Sequence, residues 1–359
     1  MGADGRLEGL DTLRGFAALS VVFAHVFFFG GLPAPDLQSL AYVATVAVEF
    51  FFILSAFSLC VAYTGRMNNV EDVREFYKRR AFRIAPLFYV MLIAWSLILA
   101  PSAAVLATNV TFTFGLIPGM HQSIVPAGWS LGTEMLFYVI FPLLLATIRS
   151  WKGALVALVL TTTFAAILSD WLNATIPDSL SGGPTTFAHS TLLTRLPFFV
   201  AGMATYHVYV ALRDISARTR KLLSASLWLA SLLYFALLLI FADDLPDVQQ
   251  FFFRYLISAG FFPVVLAAAL YSPRWFVNPV FVWLGAISYG IYLIHPLVLF
   301  LTRSFRLQSF TPDQVGSVWG SFGLSFATVA FVAILLAFVS YLVLERPLLR
   351  FARRGAKRA

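Results

Sequence analysis

Ten stretches of the chain are apolar runs of roughly 18–25 residues, the length that a bilayer core of ~30 Å asks of a helix. They lie near 12–30, 40–63, 84–106, 128–148, 153–172, 190–212, 222–242, 251–271, 276–301 and 317–345. The runs lack the strict polar–apolar alternation of barrel strands, so helices are predicted. Asn109–Met120 is apolar but too short to cross and reads as re-entrant or interfacial. No internal repeat or long linker stands out. The expected fold is an all-α polytopic membrane bundle of about ten helices, with one domain over 1–347 and a basic cytoplasmic tail over 348–359.

Composition agrees. Apolar residues make up 60% and charged residues 12% of the chain, too little polar surface to coat a soluble fold. Soluble enzymes and disordered chains are excluded. A net charge of +8 invites a nucleic-acid partner, but its placement decides otherwise. Of the 25 Lys and Arg residues, 21 fall in alternate inter-span segments or at their borders, and segments 31–39, 107–127, 173–189 and 243–250 hold none. Such a bias predicts both termini in the cytoplasm and no nucleic acid. Trp129, Trp151, Trp171, Trp275 and Trp319 fall at span ends, as an interfacial belt does. The tail around Arg353–Arg358 is expected on anionic lipid. The single cysteine, Cys60, leaves no disulfide or cysteine metal site. No cleavable leader is expected ahead of the first run.

Ionisable groups inside spans are costly and mark function by default. His25, Glu134, Arg195 and His295 come from four spans, and each lies about five or six residues from the predicted outer surface, roughly 7–10 Å deep. Glu49 is slightly deeper and a candidate partner for an arginine. At the inner face Lys78, Arg79, Arg80 and Arg83 lead into the third span, and Arg14 opens the first. Each has a structural alternative: an orientation anchor for the basic cluster, a core histidine for His25, an ion pair for Glu134 and Arg195. For His295, the alternative is a bond to a carbonyl freed by Pro296. Glu345 reads as a structural pair, His121 and His189 as solvated, and His207 has no assigned role. No metal-ligand spacing, P-loop, nucleophile elbow or dinucleotide fingerprint is present.

Six segments, in order, resemble the membrane acyltransferase-3 family, the OafA/NodX/ExoZ-like O-acyltransferases. Leu10-Asp11-Thr12-Leu13-Arg14-Gly15-Phe16-Ala17-Ala18 followed by His25 is similar to its first helix, with the Arg-x10-His spacing. Glu49-Phe50-Phe51-Phe52-Ile53-Leu54-Ser55-Ala56-Phe57 resembles its "FFxLSGF" run, with Ala56 in place of glycine. Tyr77–Pro86 resembles its Arg-x-x-Arg loop, carried by Arg80 and Arg83. Gly128–Tyr138 is similar to "WSLxxExxFY", Ile287–Pro296 to the penultimate span, and Tyr341–Pro347 to the terminal "ErP" box. Thr12 stands where the family often has glycine. The extracytoplasmic SGNH domain of some members is not expected here.

The resemblance implies a multi-pass protein of the bacterial inner membrane. It would transfer an acyl group, usually acetyl from acetyl-CoA, to a hydroxyl of an extracytoplasmic carbohydrate. It implies no tightly bound cofactor; acyl-CoA is a substrate. Arg14, Arg79, Arg80 and Arg83 would hold the CoA phosphates, for which guanidinium forks are suited. His25, Glu134 and His295 would be catalytic, with an imidazole taking the acceptor's proton. Arg195, Glu49, Trp129 and Tyr138 would be acceptor-side or structural. Direct transfer and an acyl-histidine intermediate both stand, as does a homo-oligomer. The rival reading is a proton-coupled secondary transporter relaying protons through the buried His, Glu and Arg groups.

Overall fold

The computed structural model describes residues 7–30, 35–177, 180, 186–241, 251–305 and 315–354. The described elements are helical: α1 Glu8–Phe29, α2 Gln38–Thr45, α3 Ala47–Tyr63, α4 Val70–Leu99, α5 Ala103–Val110, α6 Trp129–Thr147, α7 Trp151–Thr175 and α8 Phe187–Ser190. These are followed by α9 Leu192–Leu212, α10 Ala217–Ile240, α11 Phe251–Ala259, α12 Phe261–Leu270, α13 Pro279–Ser304, α14 Val318–Ser340, a π-helical turn Tyr341–Glu345, and α15 Arg346–Arg354. Among the described residues nine helices are long and apolar enough to cross a membrane. A helix, α9, covers the expected sixth span but is not among the nine, because Arg195, Pro197, Tyr206 and His207 dilute its apolar character.

Two boundaries differ from the sequence reading, for identifiable reasons. Residues 64–83 were expected to be an inter-span loop, yet α4 begins at Val70. Asn69 caps it by accepting from the Asp72 N–H while the Asp72 carboxylate accepts from the Asn69 N–H, a reciprocal capping box. Glu75 then pairs with Arg79 one turn on, at 2.8 Å. At 30 residues, α4 is ~45 Å long, well beyond a ~30 Å hydrocarbon core. The basic cluster therefore sits on a helix. At its far end α4 stops at Leu99, before the expected 106, and Ala100 takes a left-handed φ of 46°. The short apolar stretch at 109–120 holds the end of α5 and a 3-10 turn, Phe114–Leu116. In the tail, α15 continues to Arg354, and residues 355–359 lie outside the described residues.

The chain divides into two compact units, 1–54 with 208–338, and 55–207 with 339–359. In the first unit α1 packs along α13. Their closest approach is backbone against backbone: a Cβ at Gly285 would stand 1.9 Å from the Asp11 carbonyl oxygen, so only glycine fits. Close by, the Thr12 hydroxyl donates to the Phe276 carbonyl at 3.2 Å. This crossing fixes the rotation of α1 and, with it, the direction in which His25 faces. In the second unit α4 packs on α6, α15 and the π turn. Phe76, Phe137, Phe141 and Phe199 fill its interior, the rings of Phe137 and Phe199 stacked at 3.9 Å.

Candidate active site

The first unit joins two of the expected residues directly. His25 Nδ1 and His295 Nε2 are 2.6 Å apart, with ring centroids at 4.8 Å. His295 is fully buried and His25 half-buried. The far nitrogen of His295, Nδ1, lies 3.2 Å from the Ile291 carbonyl. The carbonyl of Tyr292 also faces this ring; its helical donor is the one that Pro296 lacks.

Carbonyls only accept, so the tautomers follow. His295 Nδ1–H donates to Ile291, which leaves its Nε2 as acceptor and makes His25 Nδ1–H the donor. The lone pair of the neutral dyad then falls on His25 Nε2, which has no hydrogen-bond partner among the described residues. The arrangement presents one basic nitrogen in a fixed ring orientation. The Phe29 ring stands edge-on beside it, 5.4 Å between centroids.

The second unit holds the Glu134 cluster. Ser55 Oγ donates to Glu134 Oε1 at 2.6 Å, and the Tyr138 hydroxyl donates to the same oxygen at 2.5 Å. Tyr138 is one turn beyond Glu134 on α6 and buried. The guanidinium of Arg80 lies over the Tyr138 ring, 5.8 Å from its centroid, a cation–π contact. Glu134 makes no ion pair with Arg195. The Nε of Arg195 instead donates to the His189 carbonyl, and the His189 ring meets Trp129 edge-on at 4.8 Å.

The four arginines expected to hold the donor are not equivalent. Arg14 pairs with Asp11 at 2.9 Å, Arg79 with Glu75 at 2.8 Å, and Arg83 with Glu345 at 3.7 Å. Arg80 has no ion pair or hydrogen bond among the described residues, and its Nε is buried without a partner. Other side chains are accounted for structurally. Glu49, as expected, finds an arginine, Arg254, through two bonds of 2.8 and 2.9 Å. His207 Nε2 donates to Ile148, the C-cap of α6, at 3.1 Å. His121 corrects the sequence reading: it is fully buried against Phe187, because the 121–125 segment folds back onto Asn109. His189 is half-buried rather than solvated.

A family model described as "Acyltransferase domain" matches residues 7–338. The chain belongs to the acyltransferase-3 family. It is 26% identical to YrhL of Bacillus subtilis over 82% of this chain and 49% of that protein. It is 24% identical to the peptidoglycan O-acetyltransferase OatA of Listeria monocytogenes over 82% of this chain and 50% of that one. With Nodulation protein 10 of Rhizobium leguminosarum it shares 26% identity, covering 83% and 84% of the two chains. The chain thus spans about half the length of YrhL and OatA. No solved structure matches it. Like its family, this acyltransferase-3 chain is a multi-pass bacterial membrane protein.

Three site neighbours were passed over in the sequence. Ser55 carries no charge and sits in an apolar run, so nothing but the resemblance drew attention to it. Arg254 was visible as a lone charge four residues into the eighth run. Asp11, three residues before Arg14 on α1, was readable as its i,i+3 partner.

Proposed function

We propose that this chain is a membrane O-acetyltransferase that moves an acetyl group from cytoplasmic acetyl-CoA to a hydroxyl of an extracytoplasmic carbohydrate. The glycan named for OatA, peptidoglycan, is the first acceptor class to test. The observation that carries this reading is the unpartnered His25 Nε2, held by the 2.6 Å bond to His295 in an acyltransferase-family chain. A sugar hydroxyl is a poor nucleophile until a base takes its proton. His25 Nε2 takes it as the hydroxyl oxygen forms a bond to the thioester carbonyl carbon. His295 accepts from His25 Nδ1–H and steadies the imidazolium. As the tetrahedral intermediate collapses, the C–S bond breaks and the imidazolium returns its proton to the departing CoA sulfur. The products are an acetyl ester and CoA, and the enzyme is unchanged.

Arg80 is the first candidate for a donor phosphate, because no carboxylate among the described residues pairs with it. Arg14, Arg79 and Arg83, each beside an acid, would complete the clamp. The test is purified full-length protein with labelled acetyl-CoA and a glycan acceptor. Acceptor-dependent release of CoA is expected. In Arg80→Ala the donor KM should rise about tenfold or more while kcat changes less, since what is lost is a charge-assisted bond to a donor phosphate. A protein that neither binds nor consumes acetyl-CoA would overturn the reading, and transport without turnover would favour the transporter.

The same reading puts the donor side, and both chain ends, in the cytoplasm. In a Cys60→Ser background, Thr175→Cys at the end of α7 should react with an impermeant maleimide in intact cells. Lys152→Cys, at the start of the same helix, should react only after permeabilisation. The opposite pattern would invert the orientation.

A further inference from the structure

We propose that Ser55 is a positioning residue that sets the working face of Glu134. The proposal rests on the reading of Glu134 as a catalytic, acceptor-side carboxylate. Two hydroxyls, from Ser55 on α3 and Tyr138 on α6, converge on one oxygen of that carboxylate at 2.6 and 2.5 Å. A single donor would leave the carboxylate free to rotate about its terminal torsion, which is broad and roughly two-fold. Two donors from different helices fix its plane and fill the accepting capacity of Oε1. Glu134 Oε2 has no hydrogen-bond partner among the described residues and is not among the buried, unsatisfied atoms. It is left as the accepting atom for the hydroxyl of an incoming sugar. Tyr138 lies on the same helix as Glu134 and follows it one turn later, so it moves with it. Ser55 is the half of the clamp that comes from elsewhere. The half-buried Ser55 Oγ meets only Glu134 and the Tyr138 hydroxyl among the described residues, so its geometry serves this cluster.

This role is separable from one of mere packing, because it runs through Glu134. The measurement compares Ser55→Ala, Ser55→Thr, Glu134→Gln and the double variant Ser55→Ala/Glu134→Gln, each as full-length protein in lipid nanodiscs. Rates are taken per folded molecule. A hydrogen bond to a charged group is worth about 1.5–3 kcal/mol, so Ser55→Ala should lower kcat/KM for the acceptor roughly tenfold to a hundredfold. KM for acetyl-CoA should stay within about twofold, and Ser55→Thr, which keeps the hydroxyl, should recover most of the loss. In the Glu134→Gln background, Ser55→Ala should add almost nothing, since a relay already broken cannot be broken again.

The proposal is overturned by wild-type turnover in folded Ser55→Ala, or by the same fold-loss from Ser55→Ala with and without Glu134. Recovery of labelled acetyl on the Ser55 peptide after a single turnover would also overturn it, making Ser55 a nucleophile. Full activity in Glu134→Gln would instead remove the catalytic reading of Glu134 beneath it.

Discussion

His25→Gln should lower acyl transfer by about 10²–10⁴-fold, the usual worth of a general base, while leaving the protein folded and able to bind its donor. Glutamine has nearly the reach of the imidazole, and its amide N–H can still donate to His295 Nε2. What it lacks is the basic ring nitrogen that could take the proton of the acceptor hydroxyl. His25→Asn, shorter still, should fail equally. Donor binding should survive in both, because Arg14 is eleven residues away along α1, ~16 Å, and His25 is proposed for the chemistry alone. A core histidine would behave differently: its Gln variant would keep activity in proportion to folded protein. The measurement is turnover per folded molecule with acetyl-CoA affinity read on the same sample. Near-wild-type transfer by His25→Gln would remove His25 as the base, and His295 would be next to test.

The dyad illustrates what a single sequence can and cannot carry. His25 and His295 were each conspicuous as an imidazole in an apolar run, at similar expected depth. That their nitrogens meet was not legible, because contact between residues 270 positions apart depends on the rotation of two helices about their axes. That rotation is set by Gly285 against the Asp11 backbone and by Thr12 on the Phe276 carbonyl. A glycine in a membrane helix is too common to announce such a role. The proline at 296 was more informative, since it predicted a freed carbonyl facing the neighbouring imidazole, and the Tyr292 carbonyl is there.

The spans were legible because hydrophobic length is a strong constraint, and polar segments were less so. Residues 64–83 fall between two apolar runs, and hydrophobic length alone makes them an inter-span segment, although Asn69 with Asp72, and Glu75 with Arg79, are helix signals in their own right. The consequence is chemical as well as structural. On a helix, Arg80 and Arg83 lie three residues apart on neighbouring positions of one face, yet they meet different partners, the ring of Tyr138 and the carboxylate of Glu345. The π turn at Tyr341–Glu345 contributes to that difference, since Glu345 ends it and is buried beside Arg83. Equal arginines in the sequence are therefore unequal in the fold.

The largest expected effect on stability is at Glu49 and Arg254. Their side chains are almost fully buried, at 0% and 6% exposure, so each charge relies on the other. The guanidinium meets the carboxylate through Nε at 2.8 Å and Nη2 at 2.9 Å, while the Thr45 carbonyl and hydroxyl, at 3.4 and 3.5 Å, take its remaining edge. Removing one partner strands the other charge, a loss of about 3–5 kcal/mol for a buried pair. Arg254→Met and Glu49→Leu should each unfold in nanodiscs at markedly lower temperature, and Thr45→Val should cost far less. The double variant should regain most of the lost stability, because two apolar side chains bury without a desolvation penalty. If either single variant melts with the wild type, the pair does not hold this unit together. If the double variant is stable but inactive, Glu49 belongs with the acceptor-side residues; if it is stable and active, the pair is purely architectural.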